Sequence, residues 1–317
     1  MTTVYDRELL IRTGEYDRNF WNAMHEDRTA MGKLHGAMDN ATGGYAFPSG
    51  SNDKLTKAIQ RKSIFRNLAT VVKAQNGSCR IFAKDCNDLA EWVPENTPIP
   101  LRDGVNDFTR YPVDFHKLAV FVKLDDDFVR DSSFDLNDYL TDRLAKNFAK
   151  AEDRGFILGT GEDMPTGILK RGSGVEIGVS TNAISFDDVI NLYFALDEDY
   201  RKNAVWMMND ETALKLRHLK DGAGNYLWNQ SNDTILSKRV VISNDMPSEE
   251  SGNIPIVFGD FSYYWIIDRS PVTVQTLKEQ FVTLDQIGYL AMEFLDAKLI
   301  RRDAIQGMEI NFTDPNA

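Results

Sequence analysis

A chain of 317 residues, 42% hydrophobic and 26% charged, has the composition of a globular protein with ample core for one large domain or two moderate ones. Its formal net charge of −12, with no long Lys/Arg run, excludes a tight electrostatic grip on nucleic acid, which draws on clustered cations. No stretch approaches the roughly 18 apolar residues of a membrane-spanning helix, and the opening MTTVYDRELLIRTGEYDRNFW lacks the basic start and apolar centre of a secretory signal.

Residues 1–40 are polar, with Phe20, Trp21, Met24, Met31 and Leu34 on about one helical face, which predicts an arm rather than a domain. NATGGYAFPSG (40–50) predicts a flexible joint. The basic clusters, Arg61, Lys62 and Arg66 in one place and Arg301-Arg302 in another, are short and interrupted. Cys79 and Cys86 are too few for a disulfide framework and wrongly spaced for zinc, so free thiols are expected.

Strand character appears at 80–82 and again in HKLAVFVKL (116–124), where Leu118, Val120, Val122 and Leu124 alternate onto one face. Between them runs a long polar stretch with four prolines. A structureless connection longer than roughly 15 residues is uncommon inside a compact domain. Trp92, Ile99, Leu101 and Phe108 are costly to leave in water, so packing on a neighbouring molecule is expected.

Residues 131–159 predict an amphipathic helix: Leu136, Leu140, Leu144, Phe148 and Ala151 recur on one stripe, and Ser132, Ser133 or Asp135 can cap it. The acidic run Asp125-Asp126-Asp127 leads into it and lacks the ligand spacing of a calcium loop. Beyond it come a capped helix (185–200), a buried strand (204–209) and a helix capped by Asn209 (210–220). A turn follows in DGAGNYLW, RVVISNDMP and NIPIVFGDF read as strand and loop, and 270–277, 287–300 and 308–312 are further strand-rich sequence. Helices and strands are mixed without strict alternation, an α+β pattern.

GTGEDMPTGIL (159–169) invites a phosphate-loop reading. It follows a helix rather than a strand, offers Glu162 and Asp163 to the phosphate and has no lysine in the required place, so that reading fails. Gly159 is better read as a helix cap followed by turns. His25, His35, His116 and His218 are scattered without ligand spacing, and no G-x-S-x-G elbow occurs. With 48 carboxylates, any acid pair can be imagined by chance. No catalytic residue, cofactor or metal site is expected, and a hydrolase or nucleotide-binding enzyme is the weaker alternative.

The order of the segments GGYAFP, AEWVPE, FHKLAVFVKLDDDFVRDSSFDLNDYL, AEDRGFILGTGEDMPTGIL, WMMNDETALKLRHLKDGAGNYLW, RVVISNDMP and IVFGDFSYYWIIDR resembles the major capsid proteins of tailed bacteriophages, the Hong Kong 97-type coat family. The resemblance runs from about Gly43 to the C-terminus. It implies a Hong Kong 97-like fold: an N-terminal polar segment at 1–44, an N-arm at 45–77 and an extended E-loop at 78–123. A P domain with a long spine helix would occupy 124–172 and 272–298, and an A domain 173–271 and 299–317. It implies a coat protein forming hexamers and pentamers of an icosahedral shell around double-stranded DNA, located in the virion and assembled in the host cytoplasm. An encapsulin-type compartment of the same fold is the alternative.

Portal and scaffolding or decoration proteins are the further partners implied, with DNA enclosed but not tightly bound. The E-loop residues Trp92, Glu95, Ile99, Leu101, Arg102 and Arg110 would contact neighbouring subunits, and Leu136, Leu140, Leu144 and Phe148 would form the spine-helix core. Residues 1–42 resemble the tail end of the longer scaffolding segment of many relatives; an internal start, a separate scaffold and an arm that assists assembly all stay open. Some members of that family join subunits by an isopeptide bond from an E-loop lysine to an asparagine. No lysine lies between Asp85 and Pro112, and arginine is too persistently protonated to replace it, so no such cross-link is expected.

Overall fold

The computed structural model describes residues 9–25, 27–34, 45–74, 80–84, 108–130, 135–220, 224–226, 228, 229, 232–269, 272–277 and 281–311. Its helices are α1 (Gly14–Met24), α2 (Arg28–Lys33), α3 (Ser49–Lys62), α4 (Phe65–Leu68), α5 (Asp126–Arg130), α6 (Leu136–Leu158), α7 (Phe186–Ala195), α8 (Glu198–Arg201) and α9 (Asp210–His218). The strands that matter most are β1 (Tyr45–Ala46), β2 (Thr70–Lys73), β3 (Arg80–Lys84), β4 (Phe108–Pro112), β5 (His116–Asp125) and β6 (Glu176–Thr181). Further along lie β7 (Val205–Met208), β8 (Trp228–Asn229), β9 (Thr234–Ile235), β10 (Lys238–Ile242), β11 (Ile256–Gly259), β12 (Tyr264–Asp268), β13 (Thr273–Leu277), β14 (Gln286–Leu299) and β15 (Ile305–Ile310).

The long helix α6 starts where Asp135 accepts a hydrogen bond from the Asp138 N–H and ends at Gly159. Its apolar stripe shares a core with Leu55 and Ile59 of α3 and with β14, the central strand of the first sheet. β14 carries β5 along Gln286–Leu295, β13 along Gly288–Met292 and β12 along Leu295–Leu299, while β2 adds to β12 and β1 to β13. Leu136, Leu140, Leu144 and Phe148 are buried in one core with Ile287, Tyr289 and Ala291. Phe156 and Ile157, farther along the same helix, belong to a second core with Leu295, Ala297 and Leu299.

The second sheet runs β6-β15-β11-β7-β10-β9-β8. Trp206 of β7 stacks on Phe258 of β11 with centroids 4.1 Å apart and donates its indole N–H to the Ile235 carbonyl, anchoring a third core. The helix read at 185–200 is two helices. A capping box between Ser185 and Asp188 starts α7, buried Leu196 takes an extended backbone, and Asp197 caps α8.

Three further sequence readings change. Residues 9–34, expected as an arm, pack into the first core: Tyr16, Phe20, Trp21, Met24 and Leu34 are buried there. The polarity of the segment sits on its outer face, and Tyr289 donates its hydroxyl to the Met24 carbonyl to fix the inner one. Residues 45–50, read as part of a joint, form β1 and the start of α3, with Phe47 buried and edge-on to both Phe20 and Trp21. The strand Tyr264–Asp268, allotted to the A-domain stretch, is hydrogen-bonded into the first sheet.

Candidate assembly surfaces

The antiparallel pair β3–β4 runs in register from Arg80 opposite Pro112 to Lys84 opposite Phe108, and its outer end leads into residues 85–107. The inner end is tied to the body. Tyr111 donates its hydroxyl to the Ile300 carbonyl at 2.8 Å, and Lys298 donates to the Pro112 carbonyl. The Asp114 N–H donates to the buried Asp296 carboxylate at 3.0 Å. Burial pushes the Asp296 carboxyl up, while Lys298 and two backbone N–H groups oppose the shift. Of the residues expected to touch neighbours, Arg110 lies in β4 opposite Phe82, and Trp92, Glu95, Ile99, Leu101 and Arg102 lie outside the described residues.

Sequence reasoning missed a buried ionic cluster at the seam between the first two cores. Arg66, 5% exposed, grips Glu152 of α6 through Nε and an Nη at 2.7 and 2.5 Å, and Asp268 of β12 at 2.9 and 3.0 Å. Glu293 of β14 sits beside Glu152, and its Oε1 has no hydrogen-bond partner. One turn away, Asp153 accepts from the Ser63 hydroxyl and from the Ile64 and Phe65 N–H groups, so it ties α6 to the start of α4. A signal for this was present. Glu152 continues the 136, 140, 144, 148 stripe of the helix, and Glu293 interrupts the alternating apolar face 287, 289, 291, 295, 297, 299 of the strand.

The GTGEDMPTGIL segment folds back on the end of α6. Ile168 and Leu169 donate their N–H groups to the Phe156 and Ile157 carbonyls, which satisfies helix acceptors that have no intrahelical partner. A Cβ on Gly159 would meet the Pro165 carbonyl oxygen at 2.0 Å, and one on Gly167 would meet the Gly159 nitrogen at 2.4 Å. The glycines allow this close approach, and the segment is a structural connector.

Solvent-facing apolar residues gather at several places. A hollow of about 430 Å³ beside α6 is lined by Leu118, Phe156, Leu158, Met164 and Leu295, with Lys117 and Arg154 on its wall. Another of similar volume lies among Ile190, Tyr193, Phe194 and Leu236, where Phe194 is 63% exposed. Phe121, Phe128 and Leu284 are also exposed. Of the residues lining the first hollow, Leu158 and Met164 are exposed, while Phe156 and Leu295 are buried.

The described histidines do not converge. His25 pairs with the Val129 carbonyl, His116 faces Asp296 at 3.7 Å, and His218 ends α9. Among the described residues no cluster of three or more His, Cys, Asp or Glu could hold a metal ion, and no helix is long and apolar enough to cross a membrane.

A family model described as the phage capsid family matches residues 43–310. The fold is similar to the capsid of a native GTA particle, with 26% identity over 80% of this chain and 90% of that one and a TM-score of 0.62. A structure from Microbacterium phage Oxtober96 is similar at 15% identity over 79% of this chain and 91% of that one, with a TM-score of 0.57. One from Gordonia phage Cozz is similar at 10% identity over 80% and 87%, with a TM-score of 0.53. Comparison with curated protein sequences returned no match.

Proposed function

Because the chain belongs to the phage capsid family, and is thereby a structural, non-enzymatic capsid protein of the virion with a Hong Kong 97-like fold, we propose that it is the major coat protein whose copies form hexamers and pentamers of an icosahedral shell around double-stranded DNA. The observation that carries this reading is the family match from residue 43 to 310 together with a fold shared over 90% of a capsid chain.

In this reading the first sheet with α6 is the peripheral P domain, and the second sheet is the axial A domain. The β3–β4 pair is the root of an E-loop, whose residues 85–107 lie on an adjacent subunit and place Trp92, Ile99 and Leu101 between copies. Its firm tethering through Tyr111, Lys298 and Asp114 supports such a role, because a lever transmits load only from a fixed root. The net charge of −12 supports a container wall that repels its DNA weakly and lets it slide during filling. Portal and scaffolding or decoration proteins would complete the particle, with assembly in the host cytoplasm.

Nuclease treatment of purified particles tests the container role. Protected duplex DNA, released only on disrupting the shell, is the expected result. Particles filled with protein instead of DNA would move the assignment to a cellular compartment of the same fold.

A further inference from the structure

We propose that Glu293 is held as a neutral carboxylic acid and donates its proton to Glu152, so that the seam between the two cores along α6 is locked by one shared proton and loosens when that proton is lost. The charge count at the seam leads to this. Among the described residues Arg66 is the guanidinium bonded at the seam, and four of its hydrogen bonds already go to Glu152 and Asp268. Those two carboxylates outnumber it before Glu293 is considered. Asp268 is partly exposed, so Glu293 would be a second fully buried negative charge beside Glu152 with no cation of its own, and closely placed carboxylates in a shared site cannot all ionise.

The hydrogen bonding agrees. A carboxylate needs donors at both oxygens, whereas the acid needs an acceptor for its single O–H. Glu293 Oε1 is buried with no partner, and the group that faces the side chain, Glu152, is itself an acceptor for Arg66.

The groups around Glu293 come from four elements. Glu152 faces it from α6, Arg66 from α4 and Asp268 from β12, while Leu118 of β5 stands opposite on the sheet. Lys117 and Arg154 line the neighbouring hollow, His116 and Lys298 face Asp296, and Arg269 lies over Phe115 and Phe294. Asp153 is turned to Ser63 and the α4 backbone. Arg66 is therefore the cation that acts on Glu293, and its attraction opposes burial and Glu152, which together hold the carboxyl well above the usual value of 4.5.

The consequence for stability has a definite sign. Below the ordinary glutamate value both the folded and unfolded chains carry this proton, and the contribution is complete. As pH rises above 4.5, the unfolded chain ionises while the folded chain keeps its proton, so stability falls until Glu293 itself titrates. Within that window the folding equilibrium constant drops by up to about tenfold per pH unit from this group. The three segments joined at the seam are the N-terminal stretch through Arg66, the long helix, and the sheet through Asp268 and Glu293.

Infrared spectroscopy of the full-length chain reads the proton directly. At neutral pH the wild type is expected to show a protonated-carboxyl C=O band that is missing in Glu293→Gln and fades in the wild type as pH is raised. Urea unfolding across the same range should give a wild-type to Glu293→Gln ratio of folding constants that falls with pH. If the Gln variant does not fold, Glu152→Gln serves instead: with Arg66 released toward Glu293, the band should disappear at a lower pH than in the wild type. A wild-type spectrum without the band at neutral pH, a band unchanged in either variant, or a pH-independent stability ratio would overturn the proposal.

Discussion

Removing the cation from the seam is the sharpest test of how the protomer holds together. Arg66→Met keeps the length and apolar stem of the side chain but deletes the guanidinium and its four hydrogen bonds to Glu152 and Asp268. The Glu152 side chain is fully buried, so it has no water to replace what it loses. Breaking a buried pair by removing one partner costs roughly 3–5 kcal/mol, because the remaining charge is left uncompensated. That corresponds to a folding constant lower by about two to four orders of magnitude. The deficit should depend on pH. Burial already raises the Glu152 carboxyl against the pull of Arg66, and deleting Arg66 raises it further, so the deficit grows once pH climbs past the wild-type Glu152 value, itself above the ordinary 4.5. Urea unfolding of unassembled subunits at several pH values measures both effects. A loss below about 1 kcal/mol at neutral pH, the range of an exposed pair, would refute the reasoning. So would a deficit that is flat with pH.

Leu144 is buried in the first core, so Leu144→Asp should abolish soluble folding and Leu144→Ala should cost about 2–5 kcal/mol in thermal or urea unfolding. Gly167→Ala should destabilise the chain because its Cβ would meet the Gly159 nitrogen and the Ile157 oxygen within 2.5 Å, whereas Gly155→Ala, with open space in the last turn of α6, should add roughly 0.5–1 kcal/mol. Deleting residues 88–110 should leave a folded protomer, judged by circular dichroism, that fails to complete shells; normal assembly would show the loop to be dispensable. Mature particles boiled in denaturant should run as one band near 36.0 kDa, while a covalent ladder would point to Lys84 or Lys117 as a cross-linking amine.

What the sequence made legible follows the range of the interactions involved. The α6 stripe and its Asp135 cap are local, and the reading of 131–159 lands on Leu136–Leu158. Asn209 as the cap of α9 and the connector role of 159–169 were legible for the same reason. The burial of Phe20, Trp21 and Met24 was not, because their partners lie elsewhere along the chain: Phe47 against Phe20 and Trp21, and Tyr289 at Met24. Membership of Tyr264–Asp268 in the first sheet is likewise a matter of pairing with Leu295–Leu299, which no local pattern encodes. Glu152 and Glu293 are the instructive case. Each stands as a charge in an apolar stripe, a legible anomaly, but Arg66 and Asp268, which complete the cluster, are recognised only once the strands and helix are assembled.

Electron microscopy of particles formed by the full-length chain bears most directly on the capsid assignment. A coat protein of this kind should give large closed shells whose reconstruction resolves six-fold and five-fold clusters of this fold, with residues 85–107 of each copy lying on its neighbour. A chain that remains monomeric or dimeric at every concentration, with or without scaffold and portal, would contradict it.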